Sequence, residues 1–119
     1  MKLIIQPEGS FVCGQCCVAM LVGVSLNSCL TVFCHDWEAS PRAVRWALKY
    51  YHYQPHKRLL RFKKQAQLPA LCLLRSKYTG HWVVYDTGDI YCPVHGIYNY
   101  DDYEELTGGL LTHYLSFTK

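Results

Sequence analysis

What the chain lacks narrows the field first. It holds no run of about 18 apolar residues, so no transmembrane helix is expected. The opening Met1-Lys-Leu-Ile-Ile-Gln-Pro7 is too short for the apolar region of a signal peptide and reads as entering the fold directly. Charge is sparse: 18% of residues are Asp, Glu, Lys or Arg, and the net charge is only +3. With no polybasic block and no RNP-like aromatic motif, nucleic acid is not an expected partner, and neither is a membrane. The one basic cluster, Arg58, Arg61, Lys63 and Lys64, reads as a solvated strand edge. No internal repeat, low-complexity tract or linker interrupts the chain, which points to a single domain over residues 1–119.

What is present suits a globular core, since half of the residues are hydrophobic. Cysteine is plentiful at seven, but the count is odd and Cys16 and Cys17 are adjacent. Without a secretory signal, that usage reads as free thiols in a reducing cytoplasm rather than a disulfide framework.

Periodicity divides the chain into a helical first half and a β-rich second half. Residues 2–5 have the composition of a short edge strand, which Pro7-Glu-Gly-Ser10 ends. From Cys13, the residues Cys16, Cys17, Met20 and Leu21 recur at helical spacing, with Gly23 as the stop. A second helix, capped by Ser25 or Asn27, runs through Leu30, Val32 and Phe33. Ser40-Pro41 is a helix start with serine as cap and proline in the first turn, and Val44, Ala47, Leu48 and Tyr51 continue that helix. Strands are then expected over Lys57–Phe62, Ala70–Arg75, His81–Tyr85, Asp89–Cys92 and Leu110–Phe117, with a helical turn over Asp101–Leu106. Helices first and an antiparallel sheet afterwards make an α+β fold.

The chemistry concentrates in two stretches, Gln6 to Met20 and Gly80-His81-Trp-Val-Val-Tyr-Asp86. A cysteine at a helix N-terminus facing a histidine has the makings of a nucleophile, because both neighbours favour the thiolate. A glutamine amide beside a backbone N–H can donate to an oxyanion. Thr87-Gly88 makes a two-residue hairpin, which places Asp86 opposite Asp89, Tyr85 opposite Ile90, Val84 opposite Tyr91 and Val83 opposite Cys92. The period of two then sets His81, Val83 and Tyr85 on one face, with Cys92 diagonal to His81. Cys16, Cys17, Cys29 and Cys72 read as core thiols, and Trp82 and Tyr85 as packing residues.

This order of parts resembles the papain-like cysteine peptidases. The likeness is greatest to their compact bacterial branch, the leader-trimming peptidase domains of ABC exporters, and to small phage-encoded relatives. It rests on Gln6, on Cys13-Gly14 followed by Val18-Ala19-Met20-Leu21, and on Gly80-His81-Trp-Val-Val-Tyr. The resemblance implies a papain-like α+β fold in which the helix carrying the nucleophile packs on a C-terminal antiparallel sheet. It also implies a thiol protease of bacterial or phage type, acting on a protein or peptide substrate without a cofactor. By the same resemblance Cys13 is the nucleophile, with Cys16 the alternative, His81 the base and Gln6 the oxyanion donor. The chain departs from the family pattern twice. Gln6 lies seven residues before Cys13, where the family usually has six, and Cys92-Pro93 stands where the family carries an Asp or Asn that orients the histidine. A thiol is a weak acceptor, so Asn99 or Asp89 is the candidate replacement. If none serves, the domain becomes a papain-like protein-binding module without turnover.

Two readings from other classes compete. Cys13-Gly-Gln-Cys16 is a C-x-x-C at a helix start, as in thiol–disulfide redox proteins, but no strong strand precedes it. Cys13, Cys16, Cys34 and His35 are zinc-ligand types, although adjacent Cys34-His35 is poor spacing for one metal.

Overall fold

A computed structural model describes residues Met1 to Lys119. Three helices come first: α1 (Cys13–Val22), α2 (Leu26–Phe33) and α3 (Pro41–Tyr50). Their ends follow local chemistry. Ser25 accepts the Ser28 N–H at 3.1 Å and Ser40 accepts the Ala43 N–H at 3.1 Å, each satisfying a first-turn donor. Gly23 closes α1 in the left-handed conformation at φ 76°, its N–H reaching the Ala19 carbonyl. α1 differs at its start, where Val12 has no side chain with which to cap. Residues Cys13 to Met20 are all buried, so α1 is a core helix and not a surface one.

Eight short strands follow: β1 (Gln54–Pro55), β2 (Leu60–Arg61), β3 (Leu71–Arg75), β4 (Trp82–Asp86), β5 (Asp89–Cys92), β6 (Gly96–Asn99), β7 (His113–Leu115) and β8 (Phe117–Thr118). Helix α4 (Tyr100–Thr107) lies between β6 and β7. The main sheet has six strands in the order β2-β7-β3-β4-β5-β6, all antiparallel, and β1 pairs with β8 separately.

Both faces of the central strands are covered, which is why Trp82-Val-Val-Tyr85 reads as a continuous apolar run. Trp82, Val84, Leu73 and Leu115 face the helical layer with α1 to α3. Val83, Tyr85, Cys72, Leu74, Ile90 and Cys92 face a second cluster with Tyr100 and Tyr103 of α4. The period-two alternation thus sorts one strand's side chains into two cores.

The hairpin register read from Thr87-Gly88 is the observed one: Asp86 pairs with Asp89, Tyr85 with Ile90 and Val84 with Tyr91. Thr87 (φ 48°) and Gly88 (φ 96°) both sit at positive φ, as a primed turn requires.

Other expectations change. Residues 2–5 form no strand; Gln6 N–H instead makes one bond to the Pro93 carbonyl at 2.9 Å. A ladder there would need a donor from residue 93, and proline has none. The expected strand over Lys57–Phe62 shrinks to Leu60–Arg61, and the closing strand divides into β7 and β8 at Ser116. β6 has little apolar patterning and was not expected; it forms because it pairs with β5 from Cys92–Gly96 to Asp89–Asn99. No single helix is long and apolar enough to cross a membrane.

Four thiols are held in the apolar interior. Burial pushes Cys16, Cys29 and Cys72 up from 9.0 to about 12 and raises Cys17 as well. A group whose folded pKa is raised adds stability that is present below its unfolded value and lost as pH rises through the folded one. The urea midpoint should therefore hold up to about pH 9 and fall steadily above it, with the slope unchanged. Replacing Cys72 by alanine should make that alkaline decline shallower.

Candidate active site

The site forms where the uncapped start of α1 meets the start of β4 and the end of β5. Cys13 is the first residue of α1 and His81 immediately precedes β4. Both line a cavity of about 340 Å³ with Gln6, Glu38, Gly80, His95 and Tyr103. Phe11, Val94 and Leu110 add an apolar rim. A larger groove, about 740 Å³, lies beyond the other end of α1, but no cysteine or histidine lines it.

Close packing places the nucleophile candidate. A Cβ on Gly14 would stand 2.9 Å from Ala39 Cβ and 3.1 Å from Trp82 Cδ1. Glycine therefore lets the first turn of α1 seat directly on the Trp82 ring, whose Nε1–H donates to the Ala39 carbonyl at 2.9 Å. In that seat the Trp82 backbone N–H donates to Cys13 Sγ at 3.4 Å. Of the two C-x-x-C thiols, Cys13 retains 6% exposure and lines the cavity, whereas Cys16 is fully buried.

Gln6 is delivered by a turn over Pro7 to Ser10, where Ser10 N–H and Oγ–H both donate to the Pro7 carbonyl at 3.1 and 2.6 Å. That turn, with Gly9 at φ 75°, accommodates the longer spacing from Gln6 to Cys13. Gln6 Nε2 donates to the Ser10 carbonyl at 2.7 Å, which fixes the amide and leaves its second N–H free.

His81 makes its side-chain bond to Cys92, with Nε2 to Sγ at 3.3 Å, and none to Cys13. The diagonal placement inferred from the hairpin is thus realised in the structure. Neither proposed substitute takes Cys92's place. Asn99 caps α4 by accepting the Asp102 N–H at 2.8 Å, and Asp89 lies at the hairpin end of β5; neither lines the cavity.

Electrostatics oppose a standing ion pair. Burial raises the Cys13 thiol, against smaller lowering effects from the Trp82 and Gly14 backbone N–H groups. Burial also drives His81 down to about 4, and His95 adds repulsion. Burial thus disfavours the charged form of both groups. The sequence had suggested a thiolate–imidazolium pair, but that expectation counted the helix terminus and the partner without the cost of desolvating both charges.

Glu38 and Arg75 buttress one wall. Arg75 Nη2 lies 3.8 Å from Glu38 Oε1, and its guanidinium sits 5.2 Å above the Trp82 ring. Gly80 sits at φ 72°, a left-handed backbone that favours glycine, and a Cβ there would push the Glu38 carboxylate aside. Tyr103 and His95 were not legible as site residues. Tyr103 lies 22 residues beyond His81 on a short helix, and nothing in its local spacing links it to the site.

The competing chemistries lose their frames. No three His, Cys, Asp or Glu side chains gather as a metal site, and Cys34 is exposed at the end of α2 whereas Cys13 and Cys16 are buried. No β-α-β unit precedes the C-x-x-C motif, since every strand follows it in sequence and pairs antiparallel.

The architecture, helices preceding an antiparallel sheet with cysteine and histidine at their junction, is that of a papain-like peptidase fold. A similar solved structure is a double glycine motif protease from an AMS/PCAT transporter, in complex with the leader peptide. It superposes with a TM-score of 0.68 over 98% of this chain and 90% of the other, at 17% sequence identity. No protein-family model matches the sequence, and neither does any curated protein.

The packing at Gly14 and Gly80 carries a direct expectation. Gly14→Ala should cost about 1–3 kcal/mol through overpacking between two rigid neighbours. Gly80→Ala should cost about 1–3 kcal/mol through its left-handed backbone and displacement of Glu38. Urea unfolding checks both; unchanged midpoints would show that the α1–Trp82 seat and the Gly80 corner are looser than described.

Proposed function

We propose that this domain is a cysteine peptidase, acting by thiol acyl transfer on a peptide or isopeptide bond. The observation that carries the reading is the convergence of Gln6, Cys13 and His81 on one cavity, from two stretches far apart in the chain. In this mechanism a peptide enters against the apolar rim and brings its carbonyl to Cys13. His81 takes the thiol proton as sulfur attacks, so the charges form during the reaction rather than before it. The free Gln6 N–H and the Cys13 backbone N–H, at the uncapped start of α1, stabilise the developing oxyanion. Protonated His81 then returns its proton to the leaving amine, and water or an amine resolves the thioester. A peptide is the natural substrate class, in line with the leader peptide bound to the similar structure. Cytoplasmic residence in a bacterial or phage setting fits the free thiols.

One observation favours a second reading. His81 is bonded to Cys92 and not to Cys13, which is also what a peptide-binding module without turnover would show. Apo geometry is often loose in working enzymes and tightens with substrate, so the peptidase reading leads.

A peptidyl electrophile, such as a peptide vinyl sulfone, discriminates the two. It should alkylate Cys13 at pH 7 far faster than iodoacetamide does, because the peptide moiety assembles the site. His81→Ala should slow that alkylation about 10²–10⁴-fold. Gln6→Ala should reduce turnover of a cleavable peptide about 10²–10³-fold. Alkylation at Cys13 that ignores His81 and shows no preference for the peptidyl reagent would leave the binding module.

A further inference from the structure

At the β2 edge of the main sheet, two arginines flank a histidine on adjacent strands. Arg61 of β2 is directly opposite His113 of β7, and His113 is directly opposite Arg75 of β3. All three lie on one face. Leu59, Leu115 and Leu73, each two residues from one of them, pack on the helical-layer core, and the period of two carries Arg61, His113 and Arg75 to the same side. Lys77 joins them from the turn after β3. Arg75, Lys77 and His113, with Leu59, line a cavity of about 120 Å³, and Arg61 flanks His113 on the side away from Arg75.

Like charges directly opposite one another destabilise a sheet, and the protein does not relieve these. Arg61 and Lys77 form no ion pair; the structure's single ion pair joins Arg75 to Glu38 at a long 3.8 Å. Arg75 is half-buried, and its Nε–H, sealed from solvent, has no acceptor. A guanidinium so placed is undersatisfied. The His113 Nδ1 is engaged by the Thr112 hydroxyl at 2.8 Å, which leaves Nε2 as the ring nitrogen open to a ligand. Burial holds this ring below the usual histidine value, and the charges that add to the effect, Arg61, Lys77 and Arg75, are all cationic.

We propose that this cavity binds a tetrahedral oxyanion, a phosphate or sulfate group, with Arg75, Lys77, His113 and Arg61 as its donors. Small-molecule pockets run to roughly 300–1,000 Å³, so a cavity of about 120 Å³ suits one ionic group and not a whole ligand. A phosphate group carries about −1.5 to −2 charges at pH 7, which answers several cations at once where a carboxylate brings a single charge. Arginine's planar fork matches such an oxyanion in geometry as well as charge. Arg75 also covers the Trp82 ring, so the site adjoins the wall of the Cys13 cavity without opening into it. The inference stands apart from the peptidase reading, because neither Cys13 nor His81 takes part.

NMR of the backbone amides of Arg75, Lys77 and His113 and of the His113 ring, in the full chain, reads binding without turnover. Inorganic phosphate should shift these signals saturably at constant ionic strength, and sodium chloride should not. Sulfate remains a dianion throughout, so the pH dependence of its binding reports the protein. Its affinity should rise as pH falls from about 8 to about 5, because an anion favours protonated His113 and raises its pKa. Arg75→Gln should weaken sulfate about 10–100-fold. Arg61→Gln combined with Lys77→Gln, both at exposed positions that leave the core intact, should weaken it about tenfold. Phenyl phosphate that binds as tightly as inorganic phosphate assigns the site to a phosphomonoester, and a preference for inorganic phosphate assigns it to the free ion. Shifts that chloride reproduces at equal ionic strength overturn the proposal. So does acetate binding as tightly as sulfate, or sulfate binding that Arg75→Gln and the double variant leave unchanged.

Discussion

Everything at the site depends on how closely the first turn of α1 approaches Trp82. Without a side chain at Gly14, the helix start rests against the indole and Ala39, and the Trp82 N–H reaches the Cys13 sulfur. The same indole is pinned through Nε1 to the Ala39 carbonyl and covered by Arg75. Helix, loop and strand therefore lock at one point, and Cys13 and His81 flank it. Because interiors are packed as densely as organic crystals, a single methylene here displaces more than its own volume.

That tight packing creates an electrostatic problem. The apolar surroundings that hold Cys13 and His81 in place penalise a charge on either. A buried pair gains little from ionising unless further polar groups support it. The polar groups that the fold does provide gather around Cys92 on the other side of His81: the His95 N–H donates to its sulfur at 3.4 Å and the Tyr103 hydroxyl lies 3.4 Å from it. The site is thus asymmetric: a nearly dry thiol on one side of the imidazole, a sulfur rich in hydrogen bonds on the other.

Covering the sheet on both faces explains how one strand serves two roles. Trp82 and Val84 anchor the helical layer, while His81, Val83 and Tyr85 turn toward α4 and the β5–β6 turn. A histidine at the start of such a strand lies at the boundary of both cores. From there it can meet the nucleophile helix and the Cys92 cluster without being sealed in either.

Much of this was legible from local pattern. The spacing from Cys13, the Ser40-Pro41 start and the Thr87-Gly88 turn each act over a few residues, so they predict elements and even the register that sets Cys92 beside His81. The shortest strands, β1, β2, β7 and β8, were read less well, because two- and three-residue strands exist only through their partners. The sequence by itself determined the α+β order and the hairpin register, and it nominated Gln6, Cys13, His81 and Cys92. Only tertiary structure decided the protonation balance of that set and brought in Tyr103 and the His95 N–H. Hydrogen bonds from distant elements and the desolvation of buried groups depend on what surrounds a residue in space, and no spacing along the chain encodes that directly.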